Sequence, residues 1–312
     1  MEIKKFIFEK DYNRIINFLT ECYKENKNMT CWLPQRFDDL VYRVDTLYRD
    51  ERNKLPSQEF IYYWEENNNI VAIIFPDGDS CNTSIKKGYE YLFKEMLDLA
   101  EQKLLPLFTP NETGKIDFLV IAHDSLDYKV NELIKRGYKK GVDSDYDNYQ
   151  YPSHFNEDII LPNGFKQVYG EGLIDHQKSK ACHYGFKPQD DDGILDGPFK
   201  EGSLSYCARK KSMYFSDSFE SLTITDEGDI CSYSFCYVDK NTSTAFIEPV
   251  STREKYRKKG LGKAMLQGII KRLKEQGIEK CYVNSYALHR KQFYNKAGFI
   301  TEDSIGFWTK EL

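Results

Sequence analysis

The chain has 312 residues, 40% hydrophobic and 30% charged, and 44 basic against 49 acidic side chains leave a net charge of −5. That length suits two domains that can each bury a core, and the acidic balance argues against nucleic acid as a partner. The longest clean apolar run, IVAIIF at 70–75, is far too short to cross a bilayer, and MEIKKFIFEKD at the start has no signal-peptide core, so a cytoplasmic protein with no membrane partner is expected.

Along the chain, Tyr12, Ile15, Ile16, Leu19, Cys22 and Tyr23 fall on one helical face, and Phe37, Leu40, Val41, Val44, Leu47 and Tyr48 repeat the pattern. EFIYYWEENNNIVAIIFPDGD then reads as strand, Asn-rich turn, strand, with Pro76 and Gly78 closing it. A long helix is expected from Tyr89 to Leu104, a strand over 116–122, and a short helix over 128–135 ended by Arg136-Gly137. Residues 143–163 carry no helical period and two prolines. DNYQY reads there as a last strand, and a domain boundary is placed near 152–158.

The second half repeats the order. GFKQVYGEGL reads as a strand, 175–186 and 203–215 as short helices, and SLTITDEGDICSYSFCYVD as a hairpin turning at Glu227-Gly228. TAFIEPVST is a further strand. A helix from about Gly260 to Gln276 carries Leu261, Met265, Ile269, Ile270 and Leu273 on its face, with Gly277 ending it. CYVNSY is a strand and ALHRKQFYNKAGF a short helix capped by Gly298. Gly137-Tyr138 and Gly298-Phe299 close similar strand–helix segments about 160 residues apart, a faint internal duplication against which stands a chance match of two βα units.

The chemistry-bearing stretch is YRKKGLGKAM at 256–265, between a strand and a helix. First-turn amides of a helix lack intrahelical partners and carry a partial positive charge, so they suit phosphate oxygens. Gly260 and Gly262 remove side chains that would hold a phosphate away, and Arg257, Lys258, Lys259 and Lys263 add charge. The stretch is not a Walker loop, since GxxxxGK[ST] is absent, and Met265 stands where a dinucleotide fingerprint needs glycine. The five histidines form no close ligand pair and the eight cysteines no CxxC, so no metal is expected and the thiols read as reduced and mostly buried.

VSTREKYRKKGLGKAM resembles the acetyl-coenzyme A loop of the GNAT N-acetyltransferase superfamily, and FYNKAGF (293–299) resembles the family's helix ending Y-x-x-x-G-F. The resemblance covers roughly 160–312. It implies an α/β fold of two GNAT-like domains, each a mixed, mainly antiparallel sheet flanked by helices, with residues 1–152 a degenerate, non-catalytic copy and 158–312 the acetyltransferase domain. By the same resemblance, Arg257, Lys258, Lys259, Gly260, Leu261, Gly262 and Lys263 would hold the pyrophosphate of acetyl-CoA, largely through main-chain N–H groups. Val250, Ser251 and Thr252 would pair with the pantetheine arm, and a main-chain N–H there would polarise the thioester carbonyl. Tyr294 would protonate the departing thiolate as a primary amine of a small molecule or peptide attacks directly; the bland alternative is a core aromatic. Glu248 is the candidate base, sharing a face with Phe246 and Val250 by alternation unless Pro249 disturbs it, against the alternative of a solvent-facing strand acid. In the first half the position matching Tyr294 is Leu133, and no R-x-x-G-x-G precedes the long helix. Rival readings are an acyl-CoA-binding regulator without turnover, a protein N-terminal or lysine acetyltransferase, and transfer of a longer acyl chain.

Overall fold

A computed structural model describes residues 1–42, 60–78, 80–105, 108, 110, 112–193 and 209–312. In chain order the first elements are β1 (Glu2–Lys5), α1 (Phe8–Asn26), α2 (34–42), β2 (Tyr62–Glu66), β3 (Asn69–Asp77), β4 (Ser80–Ile85), α3 (Phe93–Lys103), β5 (Asp117–His123), α4 (Asp127–Lys135) and β6 (Lys139–Gln150). They are followed by β7 (Phe165–Tyr169), α5 (Asp175–Phe186), β8 (Glu220–Thr225), β9 (Ile230–Asp239), β10 (Thr244–Thr252), α6 (Leu261–Glu275), β11 (Lys280–Asn284), α7 (Leu288–Lys296) and β12 (Ile300–Glu311). Two compact units result: Met1–Asp147 with Asn284–Lys291 and Thr301–Leu312, and Asn148–Val283 with Gln292–Ile300. A boundary near 152–158 divides the chain into two consecutive stretches. The units interleave instead, because β12 pairs antiparallel with β5 from Ile305–His123 to Glu311–Asp117 and Trp308 is buried in the first unit's core.

In the first unit β1, β2, β3 and β4 pair antiparallel in order, and β4 meets β5 in parallel at Cys81–Val120. The apolar stripe read on α1 is buried at Ile15, Ile16, Leu19, Cys22 and Tyr23, and Lys27 closes the helix in the left-handed region. Phe93, Met96, Leu97 and Ala100 of α3 pack with Trp64, Ile74, Phe118, Val120 and Leu133. The helical reading through Val44, Leu47 and Tyr48 falls outside the described residues.

In the second unit β7, β8, β9 and β10 pair antiparallel, and β10 runs parallel to β11. Leu261, Ala264, Met265, Leu266, Ile269, Ile270 and Leu273 form the buried face of α6. Its core neighbours include Cys236, Ala245, Ile247, Cys281, Val283, Tyr294 and Phe299. Of the short helix expected over 203–215, residues 203–208 lie outside the described residues and 210–214 are turns and a bend. Among the described residues no helix is long and apolar enough to cross a membrane.

Candidate functional site

The site is built on a parallel strand pair that parts. β10 pairs with β11 only from Thr244–Lys280 to Phe246–Tyr282, then continues to Thr252 against β9. A register shift falls between Ile247 and Val250, where Pro249 cannot donate to a ladder. Ala245, Ile247 and Val250 consequently pack against the same core, at spacings of two and then three. This corrects the alternation read from sequence: the bulge puts Val250 on the face of Ile247 rather than of Phe246.

Beyond the bulge, the ladder decides which main-chain groups face the gap. The Arg253 amide donates to the Cys231 carbonyl at 3.0 Å. Strand hydrogen-bonding alternates, so Ser251 also turns its main chain toward β9, opposite Tyr233, while Val250 and Thr252 turn theirs to the other edge. Ser251 is buried, and its hydroxyl donates to the Tyr233 carbonyl at 3.1 Å. The edge turned away from β9 is therefore carried by Val250 and Thr252, with Ser251 anchoring the strand behind it.

The loop after β10 is shaped by its backbone. Lys258 has φ +61° and Gly260 φ +81°, and Gly260 is the residue from which α6 starts. A Cβ on Gly260 would meet nothing within 4 Å, so the space above the first turn is open. Gly262 is a close approach: a Cβ there would lie 3.0 Å from Thr252 Oγ1 and 3.4 Å from Phe293 Cζ. Lys258, Lys259 and Lys263 are exposed and Leu261 is buried beneath them. The Arg257 side chain donates to the carbonyls of Thr252, at 3.0 Å, and Gly185, at 2.7 Å, so it braces the loop. Open backbone at a helix start among three exposed ammonium groups is a donor set that fits a diphosphate.

Tyr294 lies on α7, 8% exposed, in edge contact with Phe293 and Phe299 at centroid distances of 5.2 and 5.9 Å. Glu248 is half-buried at the bulge beside Pro249. Gly298, with φ +96°, ends the α7 segment, and the Phe299 amide returns to the Tyr294 carbonyl at 3.1 Å.

Arg253 was not read from sequence as part of the site. Its side chain is fully buried between the end of β10 and the glycine loop. Nε and Nη2 donate to the two carboxylate oxygens of Asp191 at 2.8 and 2.6 Å, and Nη1 donates to Asp229 at 2.5 Å and to the Ile230 carbonyl at 2.8 Å. The Tyr256 hydroxyl donates to the second Asp229 oxygen at 2.6 Å. Burial pushes both carboxyls up, but Arg253, joined by Tyr256 at Asp229, outweighs it and holds both below their ordinary range. In STREKYRKK, Arg253 looks like any other cation of a basic run; only the fold separates the buried one from the exposed ones.

The sequence profile of the acetyltransferase (GNAT) family matches residues 193–299, a span that holds the parting strands, the glycine loop and Tyr294. Among curated proteins, none matches the chain in sequence. Solved structures do. A GCN5-related N-acetyltransferase from Sphaerobacter thermophilus is 12% identical with a TM-score of 0.63, covering 99% of this chain and 95% of its own. A tandem GNAT protein from the clavulanic acid biosynthesis pathway is 13% identical with a TM-score of 0.62, over 99% and 98%. A GNAT-family acetyltransferase from Colwellia psychrerythraea is 12% identical with a TM-score of 0.57, over 99% and 100%. Residues 193–299 thus match the GNAT acetyltransferase family in sequence, and nearly the whole chain shares the fold of these solved GNAT structures.

Proposed function

We propose that the chain is an acetyl-CoA-dependent N-acetyltransferase that acts on a primary amine of a small molecule or peptide. Residues 158–312 supply the chemistry and residues 1–152 form a non-catalytic GNAT-like half. The observation that carries this reading is the parting of β10 from β11 at the bulge, directly before an open, glycine-started helix. Acetyl-CoA, when bound, would supply an activated acetyl thioester.

The chain's own residues then divide the work. First-turn amides of α6, with Lys258, Lys259 and Lys263, take the diphosphate, while Arg257 and Arg253 hold the loop in place. Val250 and Thr252 offer main-chain groups to the pantetheine arm, and the Val250 N–H is the fixed donor for a carbonyl oxygen that gains charge. The Tyr294 hydroxyl gives a proton to the leaving sulfur, and Glu248 accepts one from the amine. Most of the acceleration comes from holding amine and thioester together.

Release of coenzyme A, followed by thiol detection across a panel of small amines and peptides, tests the reading. Turnover with one amine class is expected, and Tyr294→Phe should lower kcat on the order of 10²-fold with acetyl-CoA affinity unchanged. Unchanged turnover in that variant would remove the acid role. Binding without turnover on any amine would turn the assignment to a regulator.

A further inference from the structure

The first unit contains the same kind of parting strand pair, and there the open edge is already taken. β4 and β5 meet in parallel at Cys81–Val120, and β4 then runs on to Ile85 against β3. The Lys86 amide donates to the Val71 carbonyl at 2.8 Å, which fixes the parity of the ladder. Ser84 and Asn82 therefore turn their main chains toward β3, while Thr83 and Ile85 turn theirs to the edge away from it. These are the counterparts of the Val250 and Thr252 edge on β10.

Side chains of the unit occupy that edge. Lys129, on α4, is 2% exposed, and its Nζ donates to the Thr83 carbonyl at 3.1 Å and to Thr83 Oγ1 at 2.9 Å. The Cys31 thiol donates to the Ile85 carbonyl at 3.4 Å. The Phe93 ring lies 5.7 Å from the Lys129 ammonium. A methionine would fill the same volume without desolvating a charge, so the ammonium is there for its donors. Counted back equally far from the helix-ending glycine, the second half has Arg290, which is exposed.

We propose that Lys129 occupies, in the first unit, the place along β4 that the acyl-carrier arm takes along β10, so that the first unit is closed to acyl-coenzyme A by its own side chain. The inference rests on the reading that β10 receives that arm. It gives, beside the lack of a tyrosine at Leu133, a steric reason why the first half does no chemistry, and it predicts one coenzyme per chain.

The test is calorimetric titration of the full chain with coenzyme A. The natural chain should bind one equivalent and Gly260→Asp none. Lys129→Ala, or Lys129→Ser if the first variant does not fold, should bind a second equivalent, and this site should persist when Gly260→Asp is added. Folded Lys129 variants that still bind one equivalent would overturn the proposal, as would two equivalents on the natural chain. No binding to the natural chain together with one equivalent on Lys129→Ala would refute the β10 reading and leave the plug standing. A second readout needs no Lys129 variant beyond one for assignment. The Lys129 ammonium signal in the ¹⁵N spectrum of lysine-labelled natural protein, assigned with Lys129→Arg, should not move when coenzyme A is added, and a shift would show that the slot admits the ligand.

Discussion

Gly260 combines φ +81° with empty space above it, and the two facts have separable consequences. A methyl group fits, so Gly260→Ala meets only the left-handed backbone, at about 1–2 kcal/mol of stability. Acetyl-CoA affinity should fall as well, because the methyl group enters the space given to the diphosphate, and thermal melting beside a titration checks both. Lys129 invites a pH prediction. Burial pushes its ammonium down to about 8, against a weak upward pull from Cys31 and Cys81. The unfolded chain holds that proton up to about pH 10.4, so stability rises with pH between those values and the penalty is fully present below 8. Linkage puts the penalty at about 3 kcal/mol. The stability of Lys129→Met relative to the natural chain should therefore be highest at pH 7 and fall by pH 9.5 in urea unfolding. A difference that does not change with pH would contradict the assignment. None of this was legible in the sequence, where Lys129 is one cation among 44 basic residues.

The elements were read best where periodicity and punctuation agree. α6 runs from Leu261 to Glu275 because its apolar stripe, its starting glycine and Gly277 coincide. Ile269→Ala in that stripe should cost about 2–5 kcal/mol in urea unfolding. SCNTSI of β4 gives no strand signal because it has little apolar character, yet all six residues are buried. Cys81 and Ile85 pack into the hydrophobic core, while Thr83 accepts the Lys129 donors. β1, with the sequence EIKK, gives no strand signal either and is ordered by its partner β2. Pro249 signals a break in β10, but only the ladder shows which residues then share a face. Arg253 ties this element to the turn before β9 and to the segment after α5. Arg253→Met leaves Asp191 without its buried cation and Asp229 with only the exposed Lys255, and should cost about 3–5 kcal/mol near neutral pH. The carboxyls are held low in the folded state, so their contribution is present above about pH 4 and lost as pH falls through the folded values. The gap between natural chain and variant should therefore narrow in acid, which melting at pH 7 and pH 3 would show.

At the scale of the molecule, the presence of two compact units was legible in the chain's length, but the assignment of the last strand was not. β12 follows the second half's glycine-aromatic signal in sequence and belongs to the first unit by pairing. Sequence order carries no information about which sheet edge a terminal strand joins. A fragment of residues 1–152 lacks β12 and exposes the edge of β5. It should melt lower, and aggregate more, than the same fragment with residues 300–312 appended. Equal melting would mean that β12 contributes nothing to the first unit. The candidate site itself was legible as two short motifs, because the glycine loop is made of local backbone and charge. Its supports, Arg253, Asp191 and Asp229, come from distant parts of the chain and were not. The account stands most directly on calorimetric titration of the natural chain and of Gly260→Asp with acetyl-CoA. One equivalent bound by the natural chain, and none by a variant that remains folded, is the expected result. Equal binding by both, or no binding by the natural chain, would contradict the assignment of the glycine loop and the function built on it.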